Sequence, residues 1–186
     1  MKGYSVFNVA QVDGIKNMPA TVETSAIVST KPEAILENMP QRPAIKYGMR
    51  KAFYSPAEDS IGMPNRESFE SDAGFFATAY HEAIHSTGHS SRLNRPTLTE
   101  TAGFGSNPYC KEELIAEMGA AFLRGHAGIE GTMENSAAYL QNWLKQLQND
   151  KKLIVQAAAQ AQKAADFILG TKFDEAPASE VVMVAS

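Results

Sequence analysis

Residues 81–89 read HEAIHSTGH, and the four-residue spacing of His81 and His85 constrains the fold more than any other stretch of the chain. On an α-helix, positions four apart share a face, so two imidazoles at this spacing address one point in space. The surrounding residues predict that helix. Ser71 and Asp72 suit an N-cap, Phe76, Tyr80 and Ile84 recur every four positions, and Gly88 offers a stop. Because the apolar stripe already supplies a buried side, the face carrying His81, Glu82 and His85 is expected to lie outside the core. The bland alternative is a solvated polar face.

Two histidines bracketing a glutamate in this way form the HExxH pattern of zinc hydrolases. The histidines bind Zn2+, a third ligand comes from elsewhere in the chain, and an open position takes water. Glu82 projects beside the same point, where a carboxylate acts as general base on water made acidic by the metal. Glu82 is therefore the expected catalytic residue, and His81 and His85 are the expected metal ligands.

The third ligand has several candidates. An extended motif needs a histidine ten residues after His81, but position 91 is Ser91. His89 falls beyond the expected helix end and reads first as a surface residue. In YCKEELIAEMGAAFL, Glu113 and Glu117 are again four apart, on a second expected helix from about Pro108 to Arg124. Its apolar stripe reads Leu114, Met118, Ala121 and Phe122, with Gly125 as its stop, so the two carboxylates aim together away from that stripe. Burying such a pair without a cation or donors is costly. Glu113 fits the metal ligand and Glu117 a carboxylate that hydrogen-bonds a ligating histidine. The reverse order stays open at this level, as does a solvated acidic face near Lys111 and Arg124.

The rest of the chain reads as one domain of mixed α and β character. YSVFNV (4–9), AIKYG (44–48) and KAFYS (51–55) are strand-like, and EDSIGMPNRESF reads as a loop with apolar points at Ile61 and Met63. TKPEAILENM (30–39) predicts a short helix, RLNRPTLTETAGFGSNP (92–108) a long surface connection, and two further helices are expected at 136–148 and 151–169. The tail, 171–186, is expected to be loosely held. With 186 residues, 44% of them hydrophobic, the chain has material for one core. The formal charge of −4 gives no general electrostatic footprint for nucleic acid. Cys110 stands alone, which rules out an intrachain disulfide and a thiolate cluster and fits a reducing, cytoplasmic setting. No apolar run suits a signal peptide or a membrane span, so no membrane partner is expected.

Five stretches together carry a family resemblance: VFNVAQ, AFYSPAEDSIGMPNRESF, ATAYHEAIHSTGHSSRLNR, YCKEELIAEMGAAFL and SAAYLQNWLKQL. They resemble the zincin-like metallopeptidase domain at the C-terminal end of ArdC-type plasmid antirestriction proteins, found also in TraC-type plasmid primases. The likeness covers nearly residues 4–169, so the domain is set at 1–170. It implies an α+β fold with a small twisted sheet packed on the HExxH helix and further C-terminal helices. It also implies Glu82 as base and His81, His85 and a helix-borne glutamate on zinc. Members of the family usually carry a separate single-stranded DNA-binding domain ahead of this region, so DNA binding is expected to reside upstream of these residues. In zincins an edge strand near the metal aligns a peptide by main-chain hydrogen bonds, and KAFYSPAEDSIGMP is where that strand is expected. An ordinary strand and turn is its bland reading.

Arg92 and Arg95 are expected to anchor the loop after the HExxH helix through carbonyls or carboxylates. Tyr109 and His126 are each able to polarise a reacting carbonyl, and position in the sequence does not choose between them. The expected partner is a protein or peptide substrate. The competing reading keeps the zinc in a non-proteolytic binding module that contacts a restriction enzyme or DNA.

Overall fold

The computed structural model describes residues 31–99, 107–129 and 151–171. The strand expected at 4–9, the helix expected at 136–148 and the tail beyond Thr171 lie outside the described residues. In chain order the elements are α1 (Pro32–Glu37), β1 (Ala44–Lys46), β2 (Phe53–Ser55), β3 (Ser60–Gly62), a 3-10 turn (Arg66–Ser68), α2 (Asp72–Thr87), α3 (Pro96–Thr99), α4 (Asn107–Ala127) and α5 (Lys151–Leu169). The architecture is α+β, a small mixed sheet on one side of α2 and the long helices α4 and α5 on the other.

The sheet order is β1-β3-β2, with β1 parallel and β2 antiparallel to β3. This corrects the loop expected at EDSIGMPNRESF, since Ser60–Gly62 is the central strand. The segment lacks the β-branched alternation of a half-exposed strand because all three residues are buried. Its place is set by backbone pairing on both edges, and strand propensity matters less there than packing. Ile61 and Met63, 1% and 0% exposed, carry the sheet onto the helices.

Helix α2 follows its expected bounds closely. The Ser71 hydroxyl accepts the Gly74 N–H at 3.1 Å as the N-cap, and Phe76, Tyr80 and Ile84 are all buried. The opposite side is not solvated, however. Glu82 and His85 are each 8% exposed, with Glu112 of α4 against His85 and the Tyr54 backbone of β2 against Glu82. For α4 the expected stripe is misphased. Leu114 is buried, but the core side continues through Ile115, Ala116, Ala120 and Leu123, while Met118 is partly buried and Ala121 and Phe122 are exposed. The carboxylates of α4 face α2 and turn the helix by a fraction of a turn from the phase that Leu114, Met118 and Phe122 suggest. The helix also passes Gly125 and ends at Ala127.

Two small-residue seams bring the helices together. Ala157, Ala161, Ala164 and Ala165 of α5 are buried against α4 and α2. On α4, a Cβ added at Gly119 would meet the Ile84 side chain at 2.6 Å. Gly119 thus sets how near α4 approaches the helix carrying His81 and His85. Gly119→Val is expected to cost about 1–3 kcal/mol through overpacking, measured by urea unfolding. An unchanged midpoint would show that the seam has slack.

The connection 92–108 is not a plain surface loop where it is described. Arg95 is buried at 3% exposure and α3 forms immediately after it. Residues 100–106 lie outside the described part. Among the described residues no helix is long and apolar enough to cross a membrane.

Candidate metal centre

Because α2 and α4 pack at the Ile84–Gly119 seam, the polar sides of the two helices face one another one turn away. His81 and His85 point their Nε2 atoms together at 3.1 Å. Glu113 places one oxygen 3.5 Å from His81 Nε2 and the other 3.6 Å from His85 Nε2. Among the described residues His81, His85 and Glu113 form a group whose ligand atoms all lie within 4.8 Å of one another. Two imidazole nitrogens and a carboxylate thus converge on one point from two different helices.

The outer nitrogens of both imidazoles are also engaged. His81 Nδ1 lies 3.4 Å from Glu117 Oε1. His85 Nδ1 lies 3.2 Å from Glu112 Oε1, a residue that the sequence reading passed over. Glu112 is 4% exposed and is bound in turn by Arg95, whose Nε donates to Oε2 at 3.1 Å and whose Nη2 donates to Oε1. The Thr97 hydroxyl donates to Oε2 at 2.6 Å. A buried carboxylate needs such partners, and the place of Glu112 next to Glu113 on the same helix was the one local signal the sequence offered. Glu117 is not spare either, so the pair read as ligand and support is in fact a trio, Glu112, Glu113 and Glu117.

The electrostatics follow from this crowding. Burial alone would depress the His81 imidazolium, but the carboxylates of Glu113 and Glu117 outweigh it and raise the pKa to about 10. Burial pushes the Glu82 carboxyl up, with His85 and His81 pulling the other way and the Tyr54 backbone N–H donating to it. Burial also acts against the Glu112 carboxylate, yet hydrogen bonds from His85 and Arg95 win and hold it down to about 2. Glu113 is lowered in spite of its burial, chiefly by its contact with His81. Four acidic groups therefore crowd two imidazoles, an arrangement that favours a cation at the convergence point.

These side chains line an open cleft of about 390 Å3, with Phe53, Tyr54, Leu98 and Tyr109 as further walls. Phe53 and Tyr54 belong to β2, which stands at the edge of the sheet, so the expected edge strand does border the cleft. It is tied down by Arg92. Arg92 Nε donates to the Ser86 carbonyl at 2.7 Å, Nη1 to the Gln41 carbonyl at 3.2 Å and to Asp59 Oδ2 at 3.0 Å, and Nη2 to the Tyr54 hydroxyl at 3.2 Å and to Asp59 Oδ1. The Arg92 guanidinium, together with the Tyr54 hydroxyl, keeps the Asp59 carboxyl below its ordinary range. Both arginines therefore bind carbonyls and carboxylates, the anchoring expected of them.

The remaining candidates separate clearly. Tyr109 lines the cleft and its hydroxyl bonds Glu113, whereas His126 is exposed in the last turn of α4 and does not line the cleft. His89 bonds the Ser91 hydroxyl at 2.8 Å and is not part of the convergent group.

Comparison with known proteins agrees with this architecture. The chain is 40% identical over 166 residues to a DNA primase TraC of Escherichia coli, covering 89% of this chain and 15% of that protein. It is 31% identical over 176 residues to the uncharacterized protein y4eC of Sinorhizobium fredii, covering 93% of this chain and 55% of that one. The crystal structure of the antirestriction protein ArdC from plasmid R388, in its Mn(II)-bound form, superposes with a TM-score of 0.61 at 36% identity, over 91% of this chain and 62% of that one. The metal-free form gives a TM-score of 0.64 at 39% identity, over 90% and 59%. This chain spans less than two thirds of each of these proteins. A family model described as zincin-like metallopeptidase matches residues 31–160, and with the α2–α4 geometry above it the chain belongs to the zincin-like metallopeptidase family.

Proposed function

We propose that this chain is the metal-dependent peptidase-type unit of a plasmid antirestriction system, with His81, His85 and Glu113 holding Zn2+ and Glu82 acting as general base. The observation that carries the reading is the convergence of the three ligand atoms. Bonds of about 2.0–2.2 Å to a tetrahedral ion imply ligand-to-ligand edges of about 3.3–3.6 Å. The two imidazole nitrogens stand 3.1 Å apart, close to that size, and with a single Glu113 oxygen the three ligand atoms all lie within 4.8 Å of one another. The Mn(II)-bound state of the ArdC relative supports a divalent cation in this fold. Two imidazole nitrogens and one carboxylate are a donor set that zinc hydrolases use, which supports zinc as the ion that would be held here.

When bound, such a cation supplies Lewis acidity that acidifies water near neutral pH and polarises a carbonyl. The chain's own residues do the rest. Glu117 fixes the ring of His81 through Nδ1, and Glu112 does the same for His85. Glu82, buried beside the ligands with a raised carboxyl pKa and steadied by the Tyr54 N–H, accepts a proton from water as it attacks a peptide carbonyl. β2, held by Arg92, aligns the substrate as an added strand.

The test pairs metal analysis of the purified chain with a proteomic search for cleaved host proteins, comparing wild type and Glu82→Gln. About one zinc per chain is expected, lost in His81→Ala and His85→Ala. A chain without bound metal, unaltered by those substitutions, would sink the reading. Restriction protection that survives Glu82→Gln with metal retained would favour a binding module that contacts the restriction enzyme.

A further inference from the structure

The segment 46–53, KYGMRKAF, exposes five of its side chains: Lys46, Tyr47, Arg50, Lys51 and Phe53. Tyr47 is 56% and Phe53 39% exposed, among the largest apolar exposures of the described residues. The sheet register gathers them at one end. Lys46 and Phe53 both pair with Gly62, on either side of β3, and the Phe53 ring lies where a Gly62 Cβ would come within 2.6 Å of it. The loop between β1 and β2 turns over this end, pinned by the Met49 N–H on the Met63 carbonyl at 3.0 Å. Lys46 spends its charge on Glu58 at 2.7 Å, whereas Arg50 and Lys51 form no ion pair with any described residue. Arg42, also exposed, precedes β1 at its other end and does not belong to the patch.

This basic, aromatic corner is continuous with the cleft, because Ala52 and Phe53 line it. Resting on the peptidase reading, we propose that Arg50 and Lys51 form a specificity-determining subsite for acidic side chains of the substrate, flanking the peptide bond presented to Glu82. A peptide laid along β2 runs past Phe53 into the reach of these two cations, and the exposed ring offers it an apolar floor.

A nucleic acid fits less well. Nucleic-acid binders with strong salt dependence make about 6–10 phosphate contacts, and two cations on a single strand give a log–log salt slope of only about −1.4. The cleft beyond the patch is walled by Glu82, Glu112 and Glu113, which repel phosphates but accept a peptide whose acidic residues stop at Lys51. Two exposed ion pairs to an acidic peptide correspond to about 2- to 30-fold in affinity, enough for a preference among substrates.

The experiment uses the zinc-loaded Glu82→Gln chain, which binds without turnover, and fluorescence anisotropy of three labelled peptides. They share one apolar centre and carry Asp/Glu, Ser or Lys flanks, and a labelled oligo-dT is titrated alongside. The acidic peptide is expected to bind several-fold more tightly than the Ser peptide, with the advantage fading at raised salt and lost in Arg50→Glu/Lys51→Glu. Because both residues are exposed, the melting temperature and zinc content of that variant should not move. Equal binding of the acidic and Ser peptides, an advantage that survives charge reversal, or tighter binding of the oligo-dT overturns this assignment alone. Failure of all three peptides to bind overturns the peptidase reading and this assignment with it.

Discussion

On the proposed mechanism, Glu82→Gln is expected to lower peptide hydrolysis by about 10²- to 10⁴-fold without loss of metal binding. The substitution conserves volume in a position 8% exposed, so packing between α2 and the sheet is retained. It also leaves His81, His85 and Glu113 untouched, and the amide oxygen still accepts the Tyr54 N–H. What it removes is the group able to take a proton from water. Burial raises the Glu82 carboxyl, which brings its basicity nearer to that needed at neutral pH. The two readouts, metal content by mass spectrometry and turnover of a cleaved host protein, separate base from ligand. Loss of zinc together with activity would move Glu82 into the ligand set, and full activity would remove it from the mechanism.

Glu112→Ala is expected to destabilise the fold by about 3–5 kcal/mol. Truncation strands Arg95, 3% exposed, without its carboxylate, and deprives His85 Nδ1 and the Thr97 hydroxyl of their acceptor. Urea unfolding of wild type and variant measures the change, and a loss below 1 kcal/mol would show that water or another acceptor replaces the carboxylate. The same group predicts a pH dependence. Its folded-state pKa, about 2, lies below the ordinary 4.5, so its contribution is fully present above about pH 4.5 and is lost as pH falls towards 2. Glu112→Gln should flatten stability across that window. An unchanged acid limb in the Gln variant would assign acid lability elsewhere, for instance to Asp59, whose carboxyl is also lowered by Arg92.

The parts of this protein that were legible in its sequence are those written in local, periodic terms. Phe76, Tyr80 and Ile84 recur at helical spacing, and that alone places His81 and His85 on one face of α2. Ser71 caps the helix by a side-chain bond to a residue three positions on, an interaction that needs no tertiary partner. Glu113 and Glu117 were readable for the same reason, being four apart on a helix. By contrast, β3 looked like a loop because Ser60 and Gly62 have little intrinsic strand preference. Its status comes from two neighbours distant in sequence. The phase of α4 was misread because an apolar stripe at Leu114, Met118 and Phe122 presumes that the carboxylates face solvent, and they do not.

The candidate site shows the same division. The sequence by itself determined the two histidines, the glutamate between them and the short menu of carboxylates on the next long helix, since a helix fixes which residues share a face. Tertiary structure decided that the Gly119 seam brings α4 close enough for Glu113 to meet both Nε2 atoms, that Glu112 rather than solvent receives His85 Nδ1, and that Arg92 pins the edge strand above the cleft. Those outcomes depend on the distance and rotation between α2 and α4 and on which buried charges find partners. Such quantities are set by the packing of side chains far apart in sequence, which no local spacing encodes.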